Sequence, residues 1–207
     1  MKINKKMIQK IVLGTLVMSA ALLIGTAAMA ADTGVWTTLS VTGSVGENLT
    51  LNVDEELRFS DITDPSLARQ HTDISLGVRI NDILSLSSGY RNTSTGEHRP
   101  YVGLGLSLIR GDLDVDSVTK LELRDLDSVR ARTEVNASLN VTSDVTVWVA
   151  DEVFVDSSGI TGNRASTGVT KGLNDTFGVS VYYLLDSSIG DATSHSNVIG
   201  LGIVAGL

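Results

Sequence analysis

The chain has 207 residues, of which 42 % are apolar, with 20 Gly, no Cys and a formal charge of −8. One domain fits that length. The apolar share excludes a disordered chain, and the lack of Cys excludes a disulfide framework.

The first thirty residues read as a signal peptide. Lys2, Lys5, Lys6 and Lys10 form a positive start, Ile11 to Gly25 is an uncharged apolar run, and Ala28-Met29-Ala30 is a cleavage site of A-x-A type. The run is too short for a spanning helix, and no Cys follows it as in a lipoprotein signal. The mature domain is expected at 31–207. It keeps 12 Lys+Arg, ten of them Arg, against 24 Asp+Glu, a net of −12. Such a surface repels polyanions, so nucleic acid is excluded as a partner.

Eleven segments with the two-residue period of a strand follow. They are Val35–Val45, Leu49–Phe59, His71–Ile80, Ile83–Arg91, Arg99–Ile109, Leu113–Arg124, Val129–Val141, Val145–Asp156, Arg164–Leu173, Phe177–Leu185 and Asn197–Leu207. In the second, Leu49, Leu51, Val53, Leu57 and Phe59 alternate with Asn52, Asp54, Glu56 and Arg58. No segment carries a helical period. Short turns such as Gly46-Glu47, Asn81-Asp82, Gly111-Asp112 and Asn174-Asp175 alternate with longer connections at Ser60–Gln70, Asn92–His98, Ser157–Asn163 and Asp186–Ser196. Exported strands with sorted connections predict an all-β, antiparallel, up-and-down transmembrane barrel in the bacterial outer membrane. Single-chain bacterial barrels have even strand numbers, so ten strands are expected, with twelve as the alternative.

Apolar rows such as Val102, Leu104, Leu106, Leu108 and Ile199, Leu201, Ile203 are expected against lipid. The opposite rows carry Glu56, Arg58, Arg79, Arg91, Arg99, Glu122, Arg124, Arg130, Arg132, Glu134, Glu152 and Arg164. Arg or Lys facing lipid at mid-depth costs about 2–4 kcal/mol, so these charges are expected inside, paired in a lattice that fills a narrow lumen. A selective Arg-lined pore is the sharper reading of the same residues. Glu55 and Asp151 break the rule by falling on the lipid face, which predicts local bulges or misplaced strand limits. Trp36, Phe59, Tyr90, Tyr101, Phe154 and Tyr183 lie near segment ends, where interfacial girdles stand.

The landmarks Trp36, Glu56-x-Arg58, Gly89-Tyr90-Arg91, Glu97-His98-Arg99-Pro100, Leu121-x-Leu-Arg124, Arg130-x-Arg132, Glu152-x-Phe154 and Asn163-Arg164 with Gly168 resemble an uncharacterised Gram-negative outer-membrane barrel family, domain of unknown function 2490. The resemblance covers roughly residues 35–207. It implies a membrane barrel and supplies no activity.

Chemistry is sparse. His71, His98 and His195 are all placed on the external side, and a rim enzyme acting on lipids or peptides would need one of them as a base. No metal-spaced pair such as H-x-H occurs, and no cofactor is expected. Gly103-x-Gly105 and Gly200-x-Gly202 sit in strands with no helix following, so they relieve crowding rather than cradle phosphate. The functions left open are a porin-like structural or small-solute channel, a rim enzyme and a soluble exported β-sandwich that binds a ligand. For the barrel, the expected partners are outer-membrane lipid and the barrel-assembly machinery, with a monomer as the working form.

Overall fold

The computed structural model describes residues 33–62, 65–125, 127–189 and 194–207. The expected signal peptide lies outside the described residues. Eleven strands follow one another: β1 (Thr33–Ser44), β2 (Leu49–Phe59), β3 (Leu67–Arg79), β4 (Leu84–Thr93), β5 (His98–Ile109), β6 (Leu113–Arg124), β7 (Ser128–Asn140), β8 (Val145–Asp156), β9 (Gly159–Gly172), β10 (Phe177–Ser188) and β11 (Ser194–Gly206). Each pairs with its neighbours in sequence, and β1 pairs with β11 to close a barrel.

The closing pair corrects the expected count. All other pairs are antiparallel, but β1 and β11 run parallel, from Thr33 beside Asn197 to Thr42 beside Gly206. With an odd number of alternating strands, the first and last must point the same way. The eleven segments of the sequence are therefore eleven strands, neither ten nor twelve. Parity also puts Thr33 and Leu207 at opposite ends of the barrel.

The sorted connections are corrected as well. β3, β5, β9 and β11 all begin earlier than their alternation indicates, at Leu67, His98, Gly159 and Ser194. Polar residues thus extend the ladders, and the connection after β8 shrinks to Ser157-Ser158. The hydrogen bonds made by these extensions satisfy backbone groups that a loop would leave to water.

Alternation assigns the two faces as expected. Ile74, Leu76, Val102, Leu104, Val181 and Leu201 are exposed on the outside, while Trp36, Tyr101, Glu122, Arg132, Glu152 and Phe154 are buried inside. No helix among the described residues is long and apolar enough to cross a membrane. The outward apolar rows lie on strands.

Glu55 and Asp151 stay on the outer face, in unbroken register opposite Thr72 and Ala165. The bulges fall elsewhere, at Arg58/Phe59, Ser107/Ile109 and Phe154/Val155. Outward neighbours compensate each carboxylate instead. Glu55 accepts hydrogen bonds from Gln70 Nε2 and Thr72 Oγ1, both at 2.6 Å, and Asp151 accepts one from Asn163 Nδ2 at 2.8 Å.

Candidate functional site: a charged belt in the lumen

The inward charges form a belt. Register creates it by setting Glu122 beside Arg130, Glu152 beside Arg164, Arg164 beside Asp186, and Asp73 beside Arg91. Opposite charges directly across a ladder attract, so each pair supports its register. Glu122, 1 % exposed, accepts from Arg130 Nη2 at 2.6 Å and from Arg132 Nη1 at 2.8 Å. Arg132 continues to Glu152 Oε1 at 2.5 Å, Glu152 meets Arg164 at 3.5 Å, and Arg164 reaches Asp186 at 3.1 Å. Phe154 stands among Arg130, Arg132 and Arg164, its ring 4.8–5.4 Å from their guanidinium carbons.

The belt crosses the seam through an aromatic ring. Trp36 carries Arg58 at 3.6 Å and Arg164 at 5.2 Å from its centroid, an arrangement that suits the weakly hydrated guanidinium. Trp36, Leu184 and Val198 form the small apolar cluster that fills the seam. From Arg58 the belt passes to Glu56 Oε1 at 2.6 Å and on to His71 Nδ1 at 3.3 Å from the same oxygen. Asp73 then accepts from Arg91 at 2.9 Å and from the Tyr101 hydroxyl at 2.5 Å. Lys120 Nζ lies 4.6 Å from the Tyr101 centroid and brings the belt back to β6.

Nine of the twelve expected lattice residues stand in or beside this belt. Glu56, Arg58, Arg91, Glu122, Arg130, Arg132, Glu152 and Arg164 belong to it. Arg99 sits just beyond, paired through Glu97 with Arg124, so Arg124 belongs to a rim cluster. Arg79 lies at the opposite end and donates to Asn48 Oδ1 and the Glu47 carbonyl. Glu134 points inward without an ion pair among the described residues. Asp73, Asp186 and Tyr101 were not expected as members. Their inward parity was the available signal.

Three aromatics are corrected. Trp36, Tyr101 and Phe154 face the lumen and hold arginine or lysine rather than forming a girdle. Of the outward ones, Tyr90 stacks on His98 and bonds to its Nδ1.

The three histidines do not converge. His71 is buried in the lumen, and its Nε2 has no hydrogen-bond partner among the described residues. His98 lies against Tyr90 on the outside of β5, and His195 Nδ1 is 2.9 Å from Ser187 Oγ on β10. Among the described residues no cluster of His, Asp and Glu is arranged to hold a metal.

Two chambers adjoin the belt. One of about 170 Å³ lies within it, lined by Arg58, Arg91, Arg132, Arg164, Glu56 and His71. The other, of about 380 Å³, opens toward the C-terminal end of the barrel between β2 and β6, with Asp54 lining both. The wall around them is smoothed by glycines. A Cβ on Gly200 would overlap the Tyr182 ring, and one on Gly168 would fall 2.6 Å from Trp148 Cζ2. These aromatics lie flat because the residues beneath them have no side chain.

A closed barrel with apolar rows outside and a charged belt inside is the architecture of transmembrane β-barrels. The chain belongs to the family described as Protein of unknown function (DUF2490), whose model matches residues 33–196. No curated protein matches it. Among solved structures it is similar to the NanC porin, at 11 % identity and a TM-score of 0.53 over 74 % of this chain and 85 % of that one. It is also similar to the KdgM porin in complex with disordered oligogalacturonate, at 12 % identity and a TM-score of 0.54 over 79 % and 87 %. At such identities the likeness is one of fold.

Proposed function

We propose that this protein is an outer-membrane channel for small polar solutes, and that the belt is its constriction. The observation that carries this reading is the concentration of ion pairs at one level of the lumen. A purely structural barrel could fill its bore with apolar side chains, since a buried ion pair seldom out-stabilises a well-packed apolar replacement. The porin fold of the two similar structures supports the same reading. The chain works as a monomer, placed in the outer membrane by the barrel-assembly machinery after removal of its signal peptide, and lipid is its surrounding partner.

Conductance of the purified, refolded protein in planar bilayers tests the proposal. Discrete current steps are expected, together with recovery in the outer-membrane fraction and slower migration after boiling than before or the reverse. Silent bilayers with folded protein would show a sealed belt. Recovery as a soluble protein would remove the membrane reading altogether.

A further inference from the structure

The larger chamber is lined by an ammonium group and a carboxylate that make no ion pair among the described residues. Lys120 reaches it from β6 and Asp54 from β2. Every other lumen cation near the belt donates to a carboxylate. Lys120 instead rests on the Tyr101 ring, and Asp54 has neither an ion pair nor a side-chain hydrogen bond among the described residues. Asp73 attracts Lys120 more strongly than Asp54 does, and Lys120 makes an ion pair with neither among the described residues. Around them stand the neutral hydrogen-bonding side chains Asn52, Ser75, Ser85 and Ser87, and Arg79 at the end of β3, whose guanidinium already donates to Asn48 Oδ1 and the Glu47 carbonyl. Gly103 leaves room for the Ser87 hydroxyl beside Lys120. A Cβ there would stand 3.5 Å from Lys120 Cγ and would displace the Ser87 hydroxyl.

We infer that this chamber binds a small zwitterion, whose carboxylate meets Lys120 and whose ammonium group meets Asp54. An ion held away from bulk water needs a counter-charge. A solute carrying both signs satisfies both residues at once, and the hydroxyls and amide around them accept or donate to its polar substituents. A sugar acid would satisfy Lys120 but set its own carboxylate against Asp54. A neutral sugar would leave both charges unpaired. The inference rests on the channel reading for how the solute arrives, and names the class of solute the channel prefers.

Calorimetric titration of the folded, full-length barrel in detergent with L-serine tests it. Saturable binding is expected, weakened about tenfold or more when either charge of the probe is removed, as in N-acetylserine or serine methyl ester. Those probes need no variant. Asp54→Asn and Lys120→Gln, each verified as folded by heat-dependent migration, are expected to weaken serine by a similar factor, and Lys120→Arg to retain it. Absence of serine binding, binding of either blocked probe as tight as that of serine, or tighter binding of D-galacturonate than of serine would overturn the inference. Silent bilayers with intact serine binding would overturn the channel and leave the site standing.

Discussion

Arg132 clamps two strands by holding Glu122 of β6 with one terminal nitrogen and Glu152 of β8 with the other, at 2.8 and 2.5 Å. Its own strand, β7, lies between them, so one side chain staples three. Glu122 in turn serves Arg130 as well. Replacing Glu122 with Gln therefore leaves two buried guanidinium groups competing for Glu152 and its neighbours. Removing one partner of a buried pair costs about 3–5 kcal/mol. The expected outcome is a fall in the urea midpoint of Glu122→Gln in detergent, with the unfolding slope unchanged. Glu134→Gln removes an inward carboxylate without an ion pair and is expected to change the midpoint far less.

The connection between β4 and β5 adds a pH dependence. Burial alone would raise the Glu97 carboxyl, but hydrogen bonds from Arg99 and Arg124 overcome it and hold the group at about 2, below its ordinary 4.5. A depressed folded value means that the stabilisation is complete above the unfolded value and is lost as pH falls from about 4.5 toward 2. The wild-type barrel is expected to lose stability across that window, measured by thermal unfolding at pH 6, 4 and 3. Glu97→Gln is expected to be less stable at pH 6 by about 1 kcal/mol, discounted for solvent near the rim, and to show a flatter pH profile.

Much of this architecture was legible because alternation is a local signal. Leu49 to Phe59 shows both its limits and its faces in eleven letters, and the structure keeps them. The strand number was not legible in the same way. It depends on Thr33 pairing with Asn197, a contact that no local pattern encodes. The eleven segments were visible, but the even-number rule pointed away from them. Strand extensions such as Gly159–Asn163 were hidden because they carry no apolar row. The belt was legible as a set of inward charges but not as a circuit. Which Glu meets which Arg follows from register, and register from turn lengths that were read too long. Trp36 shares parity with Thr38, Ser40 and Thr42, so its inward direction was readable, and position near a strand end outweighed it.

Tyr182 lies flat over Gly200 with no room for a methyl group between them. Gly200→Ala is therefore expected to push the ring into the lumen and to destabilise the barrel by about 1–3 kcal/mol, the usual cost of overpacking. Tyr182→Ala removes the obstruction, so the double variant is expected to recover most of the loss due to Gly200→Ala. Urea titrations of the four proteins measure the coupling, which contacting residues show at about 0.5–3 kcal/mol. Gly168→Ala offers a contrast. Its Cβ would also meet the Val181 carbonyl at 2.8 Å, and no side-chain truncation relieves a backbone clash. It is expected to remain destabilised in the presence of Tyr182→Ala.

The odd strand number fixes which connections share an end. Ser157, between β8 and β9, lies at the end where β1 begins, and Asp175, between β9 and β10, lies at the end where β11 finishes. The native chain has no Cys, so single cysteines report cleanly. In an outer-membrane barrel, one end faces the medium and the other the periplasm. Ser157→Cys is expected to react with a membrane-impermeant maleimide on intact cells. Asp175→Cys is expected to react only after the outer membrane is permeabilised. Labelling of both on intact cells would mean that the chain does not separate two compartments. The reverse pattern would keep the barrel and invert it, placing the rim cluster of Glu97, Arg99 and Arg124 on the periplasmic side. Because β1 and β11 run parallel, each of the two cysteines locates one terminus of the barrel as well as one connection.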